Sequence, residues 1–522
     1  MKRNLKSVLT LLLAMMLLVC GAPIALAQEE TPVDDKWMIG DPENPITLSV
    51  FINFSWYSTE SFTGIIPEEI TRRTGIKLEP TRAVDNNQLG VLVASGELPD
   101  LVFTSKLLDT LSDPSVSYSY NELIDQYGLD WEVDNSRIVN AKAFSGDDHY
   151  YFLHSHAATD EDWQNTTAAP MVASMIYRHD MLEELGNPEI KNAGDLENVL
   201  GMVKDKWPDV TPLVFSVDAW YLNPLKTWNN CSLQYFDVDE NGQCQIVAKS
   251  KPFYDYLKYC NRLYQKGLIK AECFSWDTAA ARTEMCSGKA FANIGSTQYG
   301  PGYYSAILEE YPQAELREMM PLSDYKLNES DLGWAGTFIT KNNKYPEESI
   351  RFMQFLFSEE GQKLTQWGRE GIEYTIGEDG LPVFSQEWTE SVDNNTNAEI
   401  YNPWFYFGGS KILEAEARCA VEPETFRESN NAIRLSYHNE PWYAYSVPKD
   451  ADGDYKVIYD KMVDYVKTNG QAKVIISAND EEFETNYANF ISQLDSIGVD
   501  ALAEFMTPRL QEAMELFGAS YK

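Results

Sequence analysis

The sequence predicts an α/β protein built as two compact bodies. Three observations carry this: strand, helix and strand alternate from residue 46 onward, the alternation restarts near residue 171, and 522 residues exceed one ordinary hydrophobic core. A 44% hydrophobic content supports packed interiors. The formal charge of −38, from 80 acidic against 42 basic residues, argues against a nucleic-acid-binding surface, which needs a basic stripe.

The N-terminus reads as a signal peptide over residues 1–27. Basic Lys2, Arg3 and Lys6 precede an apolar run from Val8 to Val19, roughly 12 residues and too short to span a bilayer. Ala25-Leu26-Ala27 supplies the small-x-small cleavage pattern, which makes Gln28 the first mature residue. Cys20, followed by Gly21, is the competing lipidation site, although Val19 stands where a small residue is usual. Either way the protein is expected outside the membrane, secreted or tethered to its outer face. Residues 28–44, polar and aperiodic, are expected to be a flexible leader.

Ile46 to Phe51 is β-rich, and Ile65 to Thr74 reads as a helix stopped by Gly75 ahead of the strand Ile76-Lys77-Leu78. A helix from Asn87 to Ser95, a Gly-Pro turn at 96–100 and the strand Leu101 to Phe103 complete a parallel unit. The second unit opens with a strand over 171–177, then a helix that Gly186 and Pro188 terminate, and an amphipathic helix from Asp195 to Lys206. Asn241-Gly242 marks a hairpin. Pro346 opens a helix that Glu347 and Glu348 favour at its positive end, another helix runs from Glu359 to Trp367, and two more close the chain over 480–497 and 500–517.

Two strings need weighing for calcium. Asp237-x-Asp239-x-Asn241-Gly242 and Asp450-x-Asp452-x-Asp454 start like EF-hand loops, but their twelfth positions are Ala248 and Lys461 where a bidentate Glu is required, so both read as turns. His154 and His156, with His149 nearby, read as a polar loop without a recognisable carboxylate partner. No cofactor, metal ligand set or catalytic residue is expected, and neither H-E-x-x-H nor G-x-S-x-G occurs. Six cysteines follow the signal peptide. Cys231 and Cys244 flank the hairpin turn and are the favoured disulfide, with buried free thiols the alternative.

A series of ordered segments carries a resemblance: TGI at 74–76 with ASGELPD at 94–100, IYRHDML at 176–182, LYQKGLI at 263–269, SGKAF at 287–291, GWAG at 333–336, and EESIRF at 347–352 with SEEGQ at 358–362. Together they resemble extracellular solute-binding protein family 1, the maltodextrin-binding-like receptors of ABC transporters, in its large Gram-positive lipoprotein branch. The resemblance implies a two-lobed, type II periplasmic-binding-protein-like fold, with a ligand trapped when hinged lobes close. It places the first lobe at 45–168 and 330–395 and the second at 169–329 and 396–522. The implied function is capture of a sugar or oligosaccharide by a monomer that delivers it to ABC permease subunits. A receptor for peptides or another non-sugar solute, and a secreted carbohydrate-active enzyme, are the alternatives.

Sugar clefts use aromatic rings because the C–H face of a pyranose lies flat on a π face, and this chain has 13 Trp and 30 Tyr. Trp56 and Tyr57 directly follow the first strand, where ligands dock on open α/β sheets. Trp220, Tyr221, Trp228, Trp276, Asp277, Tyr299 and Trp334 are further candidates, at predicted loops or strand ends. Thr104, Ser105 and Lys106 read as a solvated loop with hydroxyl donors.

Overall fold

The computed structural model describes residues 35–519 except 56, 58–60, 86, 146, 171, 217–221, 297–305, 323–326, 330–332, 394–395, 404–406, 423 and 440–453. The signal peptide, Cys20, Trp56, Trp220, Tyr221, Tyr299, Asp450 and Asp452 lie outside the described residues.

Two mixed sheets organise the chain. The first has the order β2-β1-β3-β12-β4, with β1 Ile46–Ile52, β2 Ile76–Arg82, β3 Leu101–Thr104, β4 His154–Ser155 and β12 Ala335–Ile339. Here β1 runs parallel to β2 and β3, while β12 is antiparallel to β3 and β4. The second has the order β10-β5-β9-β6, with β5 Ala173–Arg178, β6 Thr211–Val214, β9 Ala290–Ser296 and β10 Leu316–Glu318. In it β6 and β9 are parallel, and β5 is antiparallel to β9 and β10. A hairpin of β7 Phe236–Val238 and β8 Cys244–Ile246 sits apart, as does β11 Leu327–Glu329, paired with Tyr437–Asn439.

Each sheet has its own core. Leu48, Ile52, Val102, Phe103, Phe338, Phe352 and Phe355 belong to the first, and Ile176, Leu200, Leu213, Phe291, Phe490 and Met506 to the second. Each such side chain contributes about 1.5–3 kcal/mol on leaving water. Tyr401 and Phe407, expected in the second lobe, pack in the first core instead. A small third cluster of Ala158, Trp163, Ala168, Ala415, Cys419 and Ile433 lies where the chain passes between the sheets.

Local sequence explains the boundaries. Helix Ile65–Thr74 ends on Gly75 at φ 70°, and a Cβ there would strike the backbone of Gly40. Helix Pro346–Phe357 starts with Pro at its first turn; Ser358 then caps helix Glu359–Trp367 through the amide of Gly361 at 3.1 Å. Asn479 caps helix Asp480–Ile497 through the amide of Glu482.

Two expectations are corrected. The leader is folded from Trp37: this ring is buried, its indole donates to Glu360 at 2.9 Å, and the amides of Ile39 and Gly40 bond to the Thr74 carbonyl. Average polarity hid one Trp and one Ile that dock on the helices. The Cys231–Cys244 bridge is absent, since both are buried free thiols. Burial pushes each thiol up to about 12, so both behave as small hydrophobes in a core that needs no staple.

Candidate functional site

The carboxyl ends of β1 and β3 open the first candidate wall. Asn53 and Phe54 follow β1 directly; Asn53 donates to the Thr104 hydroxyl at 3.0 Å and its amide bonds to the Phe103 carbonyl. This pins the loop that starts at 53 against the end of β3. Because β12 is antiparallel to β3, it begins at the same end, which brings Trp334 beside Phe54 at 4.7 Å and Phe103 at 6.0 Å between ring centroids. Phe407 adds a third edge contact to Phe103 at 4.9 Å. Phe54, Phe103 and Phe407 are buried, whereas Trp334 is half-buried and offers part of its ring beyond the cluster.

Gly333 sets that ring in place. Its φ of 94° and its approach to the Ser155 carbonyl exclude any side chain, and the Trp334 amide lies 3.3 Å from the same carbonyl. Tyr57, a candidate for the ligand, is only 1% exposed and belongs to the first core, where its carbonyl accepts from Arg82 at 2.7 Å. Thr104 is likewise engaged inside the protein, donating to the Lys106 carbonyl and accepting its amide, so the 104–106 segment is a self-bonded turn.

The second wall is the end of the second sheet where β6 and β9 finish and β5 begins. Ser174, Pro224, Trp228, Met319 and Ile433 line a shallow recess there, with Trp228 half-buried against the second core. Trp276 and Asp277 sit at the same end, because helix Thr278–Cys286 leads back toward the start of β9 and Phe274 packs on Phe215, just beyond β6. Trp276 is half-buried; Asp277 is exposed and caps that helix through the amide of Ala280 at 2.8 Å. The structure thus groups Trp228, Trp276 and Asp277 on one sheet end and places Trp334 on the other.

Between the sheets runs a polar seam that sequence reasoning missed. His156, at φ 55°, pairs its Nδ1 with Glu414 at 3.2 Å, and its amide bonds to the Gly409 carbonyl at 2.7 Å. Burial raises the Glu414 carboxyl, but His156 and Arg418 outweigh it and hold the group below the usual carboxylate range. Arg418 pairs with Glu422 and donates to the Ala169 carbonyl, and Asn430 donates to Glu422 at 2.5 Å. Glu318, at the end of β10, is buried beside this pair, and among the described residues neither carboxyl oxygen has a hydrogen-bond partner. The Trp367 indole closes the seam by donating to the Leu413 carbonyl.

The histidine string is structural here. His154 is buried, its Nδ1 lies 2.9 Å from Asn140 Nδ2, and burial followed by Arg137 pushes it down to about 3, which keeps the ring neutral. Asp239 accepts the amides of Asn241 and Gln243, so the first EF-like string is a hairpin turn. Among the described residues no helix is long and apolar enough to cross a membrane.

No family model matches the chain. A curated lipoprotein of Bacillus subtilis, LipO, is 23% identical over 358 residues, covering 64% of this chain and 66% of the relative, just under two thirds of its length. An alginate-binding protein solved without calcium superposes with a TM-score of 0.65 at 20% identity, covering 90% of this chain and 98% of that one. A substrate-binding protein of a Streptococcus pneumoniae ABC transporter in complex with kestose gives 0.64 at 16% identity, over 91% and 100% of the chains. An extracellular solute-binding protein from Bifidobacterium longum subsp. infantis gives 0.66 at 15% identity, over 91% and 99%. The chain therefore has the two-lobed α/β fold of the extracellular solute-binding proteins.

Proposed function

We propose that this chain is the extracellular solute-binding component of an ABC importer, capturing a sugar or oligosaccharide between two closing lobes and passing it to a membrane permease. The observation that carries the reading is the fold shared over about nine tenths of the chain with receptors for alginate and kestose. The placement of half-buried Trp334 on one sheet end and Trp228 and Trp276 on the other supports it, since these are the ends at which α/β sheets take ligands. We assign residues 45–168 and 330–395, joined by Tyr401 and Phe407, to the first lobe and the rest of 169–329 and 396–522 to the second, a division that the two separate cores support. The role is binding without turnover, performed by a monomer. The likeness to a curated lipoprotein supports an extracellular position, with Cys20 as the tether or cleavage after Ala27 as the release.

Thermal unfolding and calorimetry against a panel of glycans test this. A ligand present at 1,000 times its Kd should add ~4 kcal/mol of stability. Shifts with peptides and none with any glycan would reject the sugar assignment while keeping the receptor.

A further inference from the structure

The far end of the second lobe, away from the Trp228 recess, carries a group of side chains with another chemistry. His179 opens helix His179–Glu184, and Glu183 stands one turn along the same face. Glu315, just before β10, is brought to them by two backbone clamps. The His179 amide bonds to the Glu315 carbonyl at 2.7 Å, and the Glu315 amide reaches Asp180 at 3.3 Å. Arg178 holds that Asp180 through two bonds of 2.8 and 2.6 Å.

We propose that His179, Glu183 and Glu315 form a binding site for a divalent transition-metal cation of the zinc class. One nitrogen and two carboxylate oxygens, one from each residue, lie within 4.8 Å of one another. Ligands at about 2.0–2.1 Å around a tetrahedral ion stand roughly 3.4 Å apart. His179 Nε2 and Glu183 Oε1 are already at 3.6 Å, and Glu315 closes the remaining gap by a small rotation of a part-exposed side chain. Nitrogen with two oxygens suits zinc better than calcium, which takes six or more oxygens. The exposed Glu183 leaves the fourth position to water.

Two features set the strength. Arg317 contacts Glu315 Oε1 through Nε and Nη2, competing for one of its two oxygens. Among the described residues the buried His179 Nδ1 has no hydrogen-bond partner, so none of them orients the ring from behind. The site is accordingly weaker, by roughly 10–100-fold, than one whose histidine is oriented by a second acceptor.

The test uses the full chain freed of metal by a chelator and titrated with Zn²⁺ alone, read by calorimetry and thermal unfolding. One equivalent should bind and raise the melting temperature. Glu183→Gln, at an exposed position that folding tolerates, and Glu315→Gln should each weaken binding at least ~tenfold. Glu189→Gln, in an exposed pair with Lys191, should change nothing. Zn²⁺ binding undiminished in Glu183→Gln, binding of several weak equivalents, or tighter binding of Ca²⁺ than Zn²⁺ would each overturn the proposal.

Discussion

Replacing Glu318 by Gln should flatten the dependence of stability on pH. Glu318 is 2% exposed, neither carboxyl oxygen has a hydrogen-bond partner among the described residues, and it lies near the buried Glu422 and Arg418. Burial first and the Glu422 charge second push its carboxyl well above the ordinary range, against a smaller pull from Arg418. The folded state therefore keeps this proton to a higher pH than the unfolded chain does. Its stabilising contribution is complete below the ordinary carboxyl pKa and is lost as pH rises through the folded one. The loss runs at about 1.4 kcal/mol per pH unit over that interval. Between pH 5.5 and 7.0 the wild-type chain should forfeit up to ~2 kcal/mol through this residue alone. Gln is close in size and does not titrate; its unpaired amide costs about 1–3 kcal/mol at every pH, so the slope and not the offset is diagnostic. Urea unfolding at pH 5.5, 6.2 and 7.0 reads it directly. A difference between wild type and Glu318→Gln that stays constant across the three would refute the buried, proton-retaining carboxyl.

Other outcomes follow from the same geometry. Trp334→Ala should weaken glycan binding by ~2 kcal/mol or more in calorimetry, because the ring overhangs the Phe54 and Phe103 platform, and an unchanged Kd in a folded variant would remove Trp334 from the site. Glu414 behaves with the opposite sign to Glu318: its depressed carboxyl contributes stability above the ordinary pKa and loses it as pH falls through the folded one. Glu414→Gln should therefore be less stable than wild type near neutrality, with the gap closing toward pH 3 in thermal unfolding; a gap that widens on acidification is the contrary result. Thiol counting should find Cys231, Cys244, Cys260, Cys273, Cys286 and Cys419 all reactive in denaturant and Cys231 and Cys244 slow in the native state. Two missing thiols after denaturation would restore the disulfide.

What was legible in the sequence was whatever a local device enforces. Gly75 ends its helix by adopting a conformation that side chains resist, and Pro346 with Glu347 and Glu348 starts another at a position that lacks amide partners. Illegible features were those decided by residues far apart in the chain. Nothing in the sequence singles out Glu318, Arg418 or Glu422, because a single charge in a strand or helix carries no sign of burial. Their seam forms only when the chain at 418–422, roughly 100 residues away, comes beside the end of β10, against which the next helix, Glu424–Leu435, packs. Tyr57 shows the same limit at short range: it follows the first strand as a ligand residue would, yet its side chain turns into the first core.

The polarity of the strands explains why part of the candidate site was nonetheless within reach. β1 and β3 run toward the candidate end, so the residues after β1, Asn53 and Phe54, arrive there. β12 runs the other way, so residues before it arrive there instead, which is why Gly333 and Trp334 matter and residues after Ile339 do not. The same rule applies to the second sheet. β5 is antiparallel to β9, and it is the start of β5, at Ala173 and Ser174, that meets Trp228 in the recess. β12 and β5 are thus each reversed relative to their neighbours, and the residues before or at their starts stand at the candidate ends of the two sheets. A short motif such as GWAG at 333–336 can therefore mark a chain reversal and a candidate binding surface at once.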